Sequence, residues 1–148
     1  FLNVIKLESS DIILEVGSGG GYTTSVLANL VNFVYSIEQD KNVYDLTIKN
    51  IKNNKYKNVN VSFSNYRLLN VSNLKFNKII INGTVNADPV NLLDKLNING
   101  KLVCILKEQS SSSIYLFNKK INGYERLKIM NASAPILINY IDKEEFNF

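Results

Sequence analysis

A chain of 148 residues, 45% of them hydrophobic, suffices for one domain with a core and holds no apolar run near the ~20 residues of a membrane-spanning helix. Its 17 basic and 13 acidic residues leave a formal charge of +4, too small and too dispersed to point to a nucleic-acid partner. With no histidine and one cysteine, Cys104, it can build neither a zinc site nor an internal disulfide.

The first strand is Ile12-Ile13-Leu14-Glu15-Val16, a short apolar run ended by glycines, as a buried parallel strand requires. From Tyr22 to Leu30 the pattern turns helical, with Val26, Leu27 and Leu30 sharing a face. Phe33 to Ile37 reads as the second strand. Asp40 is a good N-cap for a helix running to about Asn53, with Val43, Leu46, Ile48 and Ile51 inward. Lys49, Lys52, Lys55 and Lys57 cluster at its end, where cations suit the helix dipole and solvent. Val59 to Phe63 alternates as the third strand, and Lys78 to Ile81 is the fourth.

A helix follows, with Pro89 in its first turn and Leu92, Leu93 and Leu96 on one side. Asn99-Gly100 turns the chain into the fifth strand, Lys101 to Leu106, which buries Cys104 as a small hydrophobe. Ser110 to Ser113 reads as a loop, and Ile114 to Phe117 as the sixth strand. Asn122-Gly123 makes a hairpin turn into a seventh strand near Tyr124 to Met130. Strands alternating with helices, closed by a hairpin, predict an α/β fold in one domain spanning 1–148. Its sheet is Rossmann-like, doubly wound, seven-stranded and mostly parallel, with an antiparallel C-terminal hairpin.

Between the first strand and the first long helix lies Gly17-Ser18-Gly19-Gly20-Gly21-Tyr22. A dinucleotide loop would read G-x-G-x-x-G, but Tyr22 stands at the last of those positions. No Lys-Ser or Lys-Thr follows, so a P-loop is excluded as well. Glycines at 17, 19 and 21 let a ligand approach the main chain closely. The second strand ends in Ile37-Glu38, which brings a carboxylate to the same sheet edge, able to accept both hydroxyls of a ribose. Such a loop serves a cofactor without a pyrophosphate, its backbone facing an amino-acid moiety and a nucleoside. Glu15 is placed to reach that cofactor's ammonium, directly or through water.

These residues carry a resemblance to the protein-L-isoaspartate O-methyltransferases. Asp11 to Asp40 resembles that family's first motif, with Gly21-Tyr22, Leu27-Ala28 and Ser36-Ile37-Glu38 in place. The likeness continues through Asn58 to Val61, Phe76 to Ile81, Asp88-Pro89 and the block from Leu93 to Val103. The resemblance implies transfer of a methyl group from S-adenosylmethionine to the α-carboxyl of isoaspartyl residues in damaged proteins. It implies cofactor contacts at Glu15, Gly17, Ser18, Gly19, Gly21, Tyr22, Glu38, Asn65, Tyr66 and Asn82, no metal, and no assigned catalytic residue. Alignment of a carboxylate with the methyl sulfonium supplies most of such catalysis, so the lack of histidine does not exclude it.

The chain departs from the family in three places. The Gly-Asp-Gly that helps hold the adenine falls at Ser64-Asn65-Tyr66, and the Thr-Ala-Ala stretch falls at Asn82-Gly83-Thr84. The family's N-terminal helices and their substrate segment are not found before the first strand, and the sequence reads as an N-terminally incomplete member. Asn82-Gly83 is expected to form a turn beside the cofactor. The expected partner is a protein or peptide bearing isoaspartyl residues, with no membrane, in a cytoplasmic setting. A cofactor-binding relative without activity, and a methyltransferase with another protein or RNA acceptor, stand as alternatives.

Overall fold

The apolar runs become neighbouring strands, and their order sets the glycine loop at the C-terminal edge of the sheet. The computed structural model describes residues 1–65 and 74–137. In chain order its elements are α1 (Leu2–Ile5), β1 (Ile12–Val16), α2 (Tyr22–Ala28), β2 (Phe33–Glu38), α3 (Lys41–Asn53) and β3 (Val59–Phe63). There follow β4 (Phe76–Val85), α4 (Val90–Leu93), β5 (Leu96–Lys107), β6 (Ser112–Lys120) and β7 (Gly123–Asn131). They form a seven-stranded sheet in the order β3-β2-β1-β4-β5-β6-β7. The first five strands in that order pair in parallel, and β5, β6 and β7 pair antiparallel. The predicted α/β architecture is the observed one.

Because successive strand residues point to opposite faces, one strand feeds two cores. Leu14 and Val16 of β1 pack with Ile79, Leu93 and Phe117 on one face. Ile13 packs on the other with Leu27, Val34, Ile80 and Val103. Glu15, by the same alternation, points with Ile13 into the layer below α2. Cys104 is buried, and that burial pushes its thiol upward, so it is an inert core residue. No helix among the described residues is long and apolar enough to cross a membrane.

Several boundaries differ from expectation, each for a local reason. The helix from Tyr22 stops at Ala28, because the amides of Leu30 and Val31 both turn back to Leu27 O. Leu30 is therefore exposed, and the inward positions are Thr24, Leu27 and Ala28 rather than Val26, Leu27 and Leu30. In α3 the Asp40 cap forms as predicted, accepting from Asn42 N and Val43 N at 2.8 and 3.1 Å. Its buried residues are Thr47 and Ile51, while Leu46 is half-exposed. The lysines at 49, 52, 55 and 57 are exposed around its end.

The predicted third helix, observed as α4, shrinks to Val90–Leu93, after Pro89. Leu96 starts β5 instead, pairing with Phe76, and Asn99-Gly100 lies inside that strand. The pairing jumps from Leu96 to Lys101 while β4 advances only from Phe76 to Lys78, so the extra residues bulge, with Asn99 at φ 65°. The predicted serine loop is shorter, since Ser112 and Ser113 already pair in β6.

Gly100 is held there by its neighbours. A Cβ on it would lie 2.8 Å from Asn97 O and 3.0 Å from Asn77 O, both backbone atoms that cannot swing away. Gly100→Ala is expected to lower stability by about 1–3 kcal/mol, the usual range for overpacking, read as a lower midpoint in urea unfolding.

Asn82-Gly83 is not a turn. β4 continues through it to Val85, four residues past the Ile81 that pairs with the end of β1, but bulges there: from Ile80 to Thr84 it advances four residues while β5 advances only from Val103 to Ile105. Backbone groups that lose β1 as a partner find a new one in the segment 132–137. Thr84 N donates to Pro135 O at 2.9 Å, and Leu137 N donates to Thr84 O at 3.0 Å. The Thr84 hydroxyl adds a bond to Ala134 O at 2.7 Å. This strap occupies the place in the sheet that β1 vacates at Gly17.

Candidate functional site

The sheet order reverses between β1 and β4, so the connections leaving their ends diverge and open a crevice above the sheet, the usual ligand position in such folds. A cavity of about 650 Å3 fills that crevice. Gly17, Ser18, Gly19 and Glu38 line it together with Asn82 and the strap residue Leu137. A narrow apolar notch between Val16, Ile37, Ser64 and Leu137 adjoins it beneath Glu38.

The loop takes its shape from positive backbone angles at Gly17 (φ 85°), Gly19 (56°), Gly20 (87°) and Gly21 (92°). Gly17 needs this most: a side chain there would be strained at that φ, and its Cβ would lie 3.2 Å from Asn82 O. A Cβ on Gly19 would touch nothing within 4 Å, so that backbone faces open space. The Leu137 side chain sits directly on Gly83, where a Cβ would lie 2.5 Å from Leu137 Cγ.

Two carboxylates frame the loop. Glu38, at the end of β2, is 8% exposed and accepts four bonds. Its Oε2 receives Ser18 Oγ and Gly19 N, each at 3.2 Å, and its Oε1 receives Gln39 N at 2.9 Å and Asp40 N at 3.1 Å. Ser18 Oγ is also 2.7 Å from Thr47 Oγ1 of α3. Glu38 thus stands on the cavity wall, as the sequence places it.

Glu15 does not stand on that wall. Its side chain is fully buried behind the loop, with Oε2 accepting from Thr24 Oγ1 at 2.5 Å and Ser36 Oγ at 2.7 Å. Asn82 Nδ2 donates to Glu15 Oε1 at 2.8 Å and to Gly17 O at 2.9 Å, tying β4 to the loop. Burial pushes the Glu15 carboxyl from its ordinary 4.5 up to about 7, against the lowering by Ser36, Thr24 and Asn82. The nearby charge of Glu38 raises it further.

The other predicted positions divide. Tyr22 stands 80% exposed at the cavity mouth, and Gly21, its backbone capping α2, lies under the loop against Thr47. Asn65 follows Ser64 at the notch, and its carbonyl accepts Ser64 Oγ at 3.1 Å. Tyr66 lies outside the described residues. Sequence reading missed Thr24, Ser36 and Thr47, the hydroxyls that hold the two carboxylate clusters, and the strap. Ser36 carried a signal: it is a polar residue inside an apolar strand, and it pairs in register with Glu15. Among the described residues no lysine or arginine lines the cavity, and no group of acids, Cys and His could hold a metal ion.

Comparison with known sequences and structures agrees with this geometry. Residues 1–144 match the family profile described as protein-L-isoaspartate(D-aspartate) O-methyltransferase. The chain is 34% identical over 132 residues to a probable cobalt-precorrin-6B C(15)-methyltransferase (decarboxylating) of Methanococcus vannielii, covering 88% of this chain and 69% of that one. It is 25% identical over 142 residues to the protein-L-isoaspartate O-methyltransferase of Petrotoga mobilis, covering 94% of this chain and 67% of that one. Of another curated relative it spans 46%. In fold it is similar to a candidate protein-L-isoaspartate O-methyltransferase of Plasmodium falciparum, solved in complex with S-adenosyl-L-homocysteine. That match has a TM-score of 0.78 and 24% identity, covering 92% of this chain and 68% of that chain.

Proposed function

The chain belongs to the protein-L-isoaspartate(D-aspartate) O-methyltransferase family, and from that premise we propose that it binds S-adenosylmethionine at Gly17–Gly21 and methylates a carboxylate, that of isoaspartyl residues in proteins. The observation that carries this reading is the cavity of about 650 Å3 lined by the open glycine backbone and Glu38. Its size falls in the range of ~300–1,000 Å3 typical of cofactor sites. The residues present fit the group: a backbone without side chains at Gly17 and Gly19, and a carboxylate for hydroxyls.

When bound, the cofactor supplies an activated methyl on a sulfonium. The work left to the chain is placement. Glu38 accepts hydroxyl hydrogens and fixes the nucleoside end. The Gly17–Gly19 backbone and Asn82 shape the amino-acid end. Leu137 and Ile105 keep that end of the cavity apolar and exclude water from the line of transfer. An ionised acceptor carboxylate needs no base, which suits a wall whose charged group is Glu38.

The Methanococcus vannielii relative favours a second reading, methylation of a carbon on a corrin-type macrocycle. Such a molecule carries several carboxylates, and among the described residues no lysine or arginine lines the cavity to give them a counter-charge. A peptide presenting a single carboxylate asks for less. Protein repair and a cytoplasmic setting belong to the isoaspartyl reading.

Calorimetric titration with S-adenosylhomocysteine, followed by transfer of labelled methyl to an isoaspartyl peptide and its aspartyl control, tests both steps. Binding with methylation of the isoaspartyl peptide alone is the expected result. No heat at millimolar ligand would overturn the cofactor site, and heat without methylation would overturn the acceptor.

A further inference from the structure

Glu15 is the one charged group of the site that the cavity does not touch, and its surroundings are unlike those of Glu38. Every partner is a side chain: Thr24 from α2, Ser36 from β2 and Asn82 from β4. The charged group facing it is Glu38 of β2. Asn82 is locked by the pair it serves. Its Nδ2 donates to Glu15 Oε1 and Gly17 O together, and a flipped amide would turn its oxygen onto two acceptors. The Thr24 and Ser36 hydroxyls are free to rotate, so a proton arriving at Glu15 is accommodated on Oε2. Oε1 then becomes the oxygen of a neutral acid, and the charge-assisted bond from Asn82 becomes an ordinary one.

We propose that Glu15 is a proton-linked positioning residue: ionised, it holds Asn82, and through it the Gly17 carbonyl, in the geometry that receives the cofactor, and on protonation it releases that hold. This rests on the cofactor reading above. A sulfonium and an ammonium entering the cavity favour the ionised acid across the loop, so binding and loss of the proton are coupled. By linkage the affinity then depends on pH. The raised position of the Glu15 carboxyl, about 7, sets the window around neutrality.

The test is titration of wild type and Glu15→Gln with S-adenosylmethionine at about pH 5.5 and about pH 7.5, in buffers of differing ionisation heat, with roughly one pKa unit of coupling giving about tenfold. Wild type is expected to bind about tenfold tighter at the higher pH, with protons released, while Glu15→Gln shows no such difference. A second measurement needs no ligand. The Gly17 and Gly19 amide resonances and the Asn82 side-chain amide should shift together near neutrality in wild type and not in Glu15→Gln. An equal pH dependence in both proteins, clear binding without one in wild type, or loop resonances that do not titrate overturns the proposal. If S-adenosylmethionine binds at neither pH, the cofactor reading fails, and the ligand-free titration alone decides whether Glu15 governs the loop.

Discussion

Glu38→Ala is expected to weaken S-adenosylhomocysteine binding by roughly 10- to 100-fold, about 1.5–3 kcal/mol for hydrogen bonds to a charged group. The geometry explains why the loss is larger than one contact. The carboxylate reaches Ser18 Oγ and Gly19 N at 3.2 Å each, long bonds that ligand hydroxyls can replace at little cost. It reaches Gln39 N at 2.9 Å, a bond that holds the carboxylate while the other oxygen faces the cavity. Alanine removes both the acceptor and the tie between β2 and the loop. Glu38→Gln separates the two effects, since it keeps the shape and loses the charge, and it should fall between wild type and Glu38→Ala. Calorimetry reads all three, and an unchanged affinity in Glu38→Ala would remove Glu38 from the site.

Glu15→Gln should make the protein more stable above neutral pH, although it replaces a side chain with three bonds. For a carboxylate whose pKa rises on folding, the folded state binds more protons than the unfolded one. Stability therefore falls as pH climbs from the ordinary 4.5 to about 7, the reverse of a salt-bridged acid. A shift of this size corresponds to about 3 kcal/mol lost across that window. Glutamine carries no charge to desolvate. Its oxygen can accept from Asn82, and its amide can donate to the Thr24 and Ser36 hydroxyls. Urea unfolding at about pH 8 should show a gain of about 2–3 kcal/mol, vanishing near pH 4.5. Glu108 sits on a separate slope. Hydrogen bonds from Tyr115 and Lys128 lower its carboxyl to about 2, so its contribution fades only in stronger acid. A Glu15→Gln protein less stable than wild type at both pH values would mean that the buried charge costs the fold little.

The parts of the fold readable from sequence were those whose cause lies within a few residues. β1, β2 and β3 came out at or within one residue of their bounds because each apolar run is closed by glycine or polar residues. The Asp40 cap is local chemistry, and it formed as read. Where the cause is distant, local pattern misled. Leu96 continues the helical spacing of Leu92 and Leu93, but Phe76 across the sheet claims it for β5. Asn82-Gly83 reads as a turn in isolation, yet its strand is completed by Pro135 and Leu137, some fifty positions later.

The site shows the same division. Gly17, Gly19 and Glu38 were legible because loop spacing and strand ends dictate them. Glu15 was placed correctly on its strand, but its side chain is buried behind the loop and does not line the cavity. Which way its carboxylate turns depends on Thr24, Ser36 and Asn82, three residues on three other elements. A carboxylate in an apolar strand announces a partner without naming it.

The strap at 132–137 has a consequence for the order in which the molecule is built. The loop, Glu38 and Asn82 all precede the strap in the chain, and neighbouring parallel strands can bring them together. The wall that Leu137 provides waits for the end of β7 to leave the ribosome and for a loop from Thr84 to Ile136 to close. Pairing across that separation carries a loop-closure entropy, so it forms late. The side of the cleft built by Gly17, Gly19 and Glu38 is then in place before the strap is made. The side that Leu137 closes follows β7.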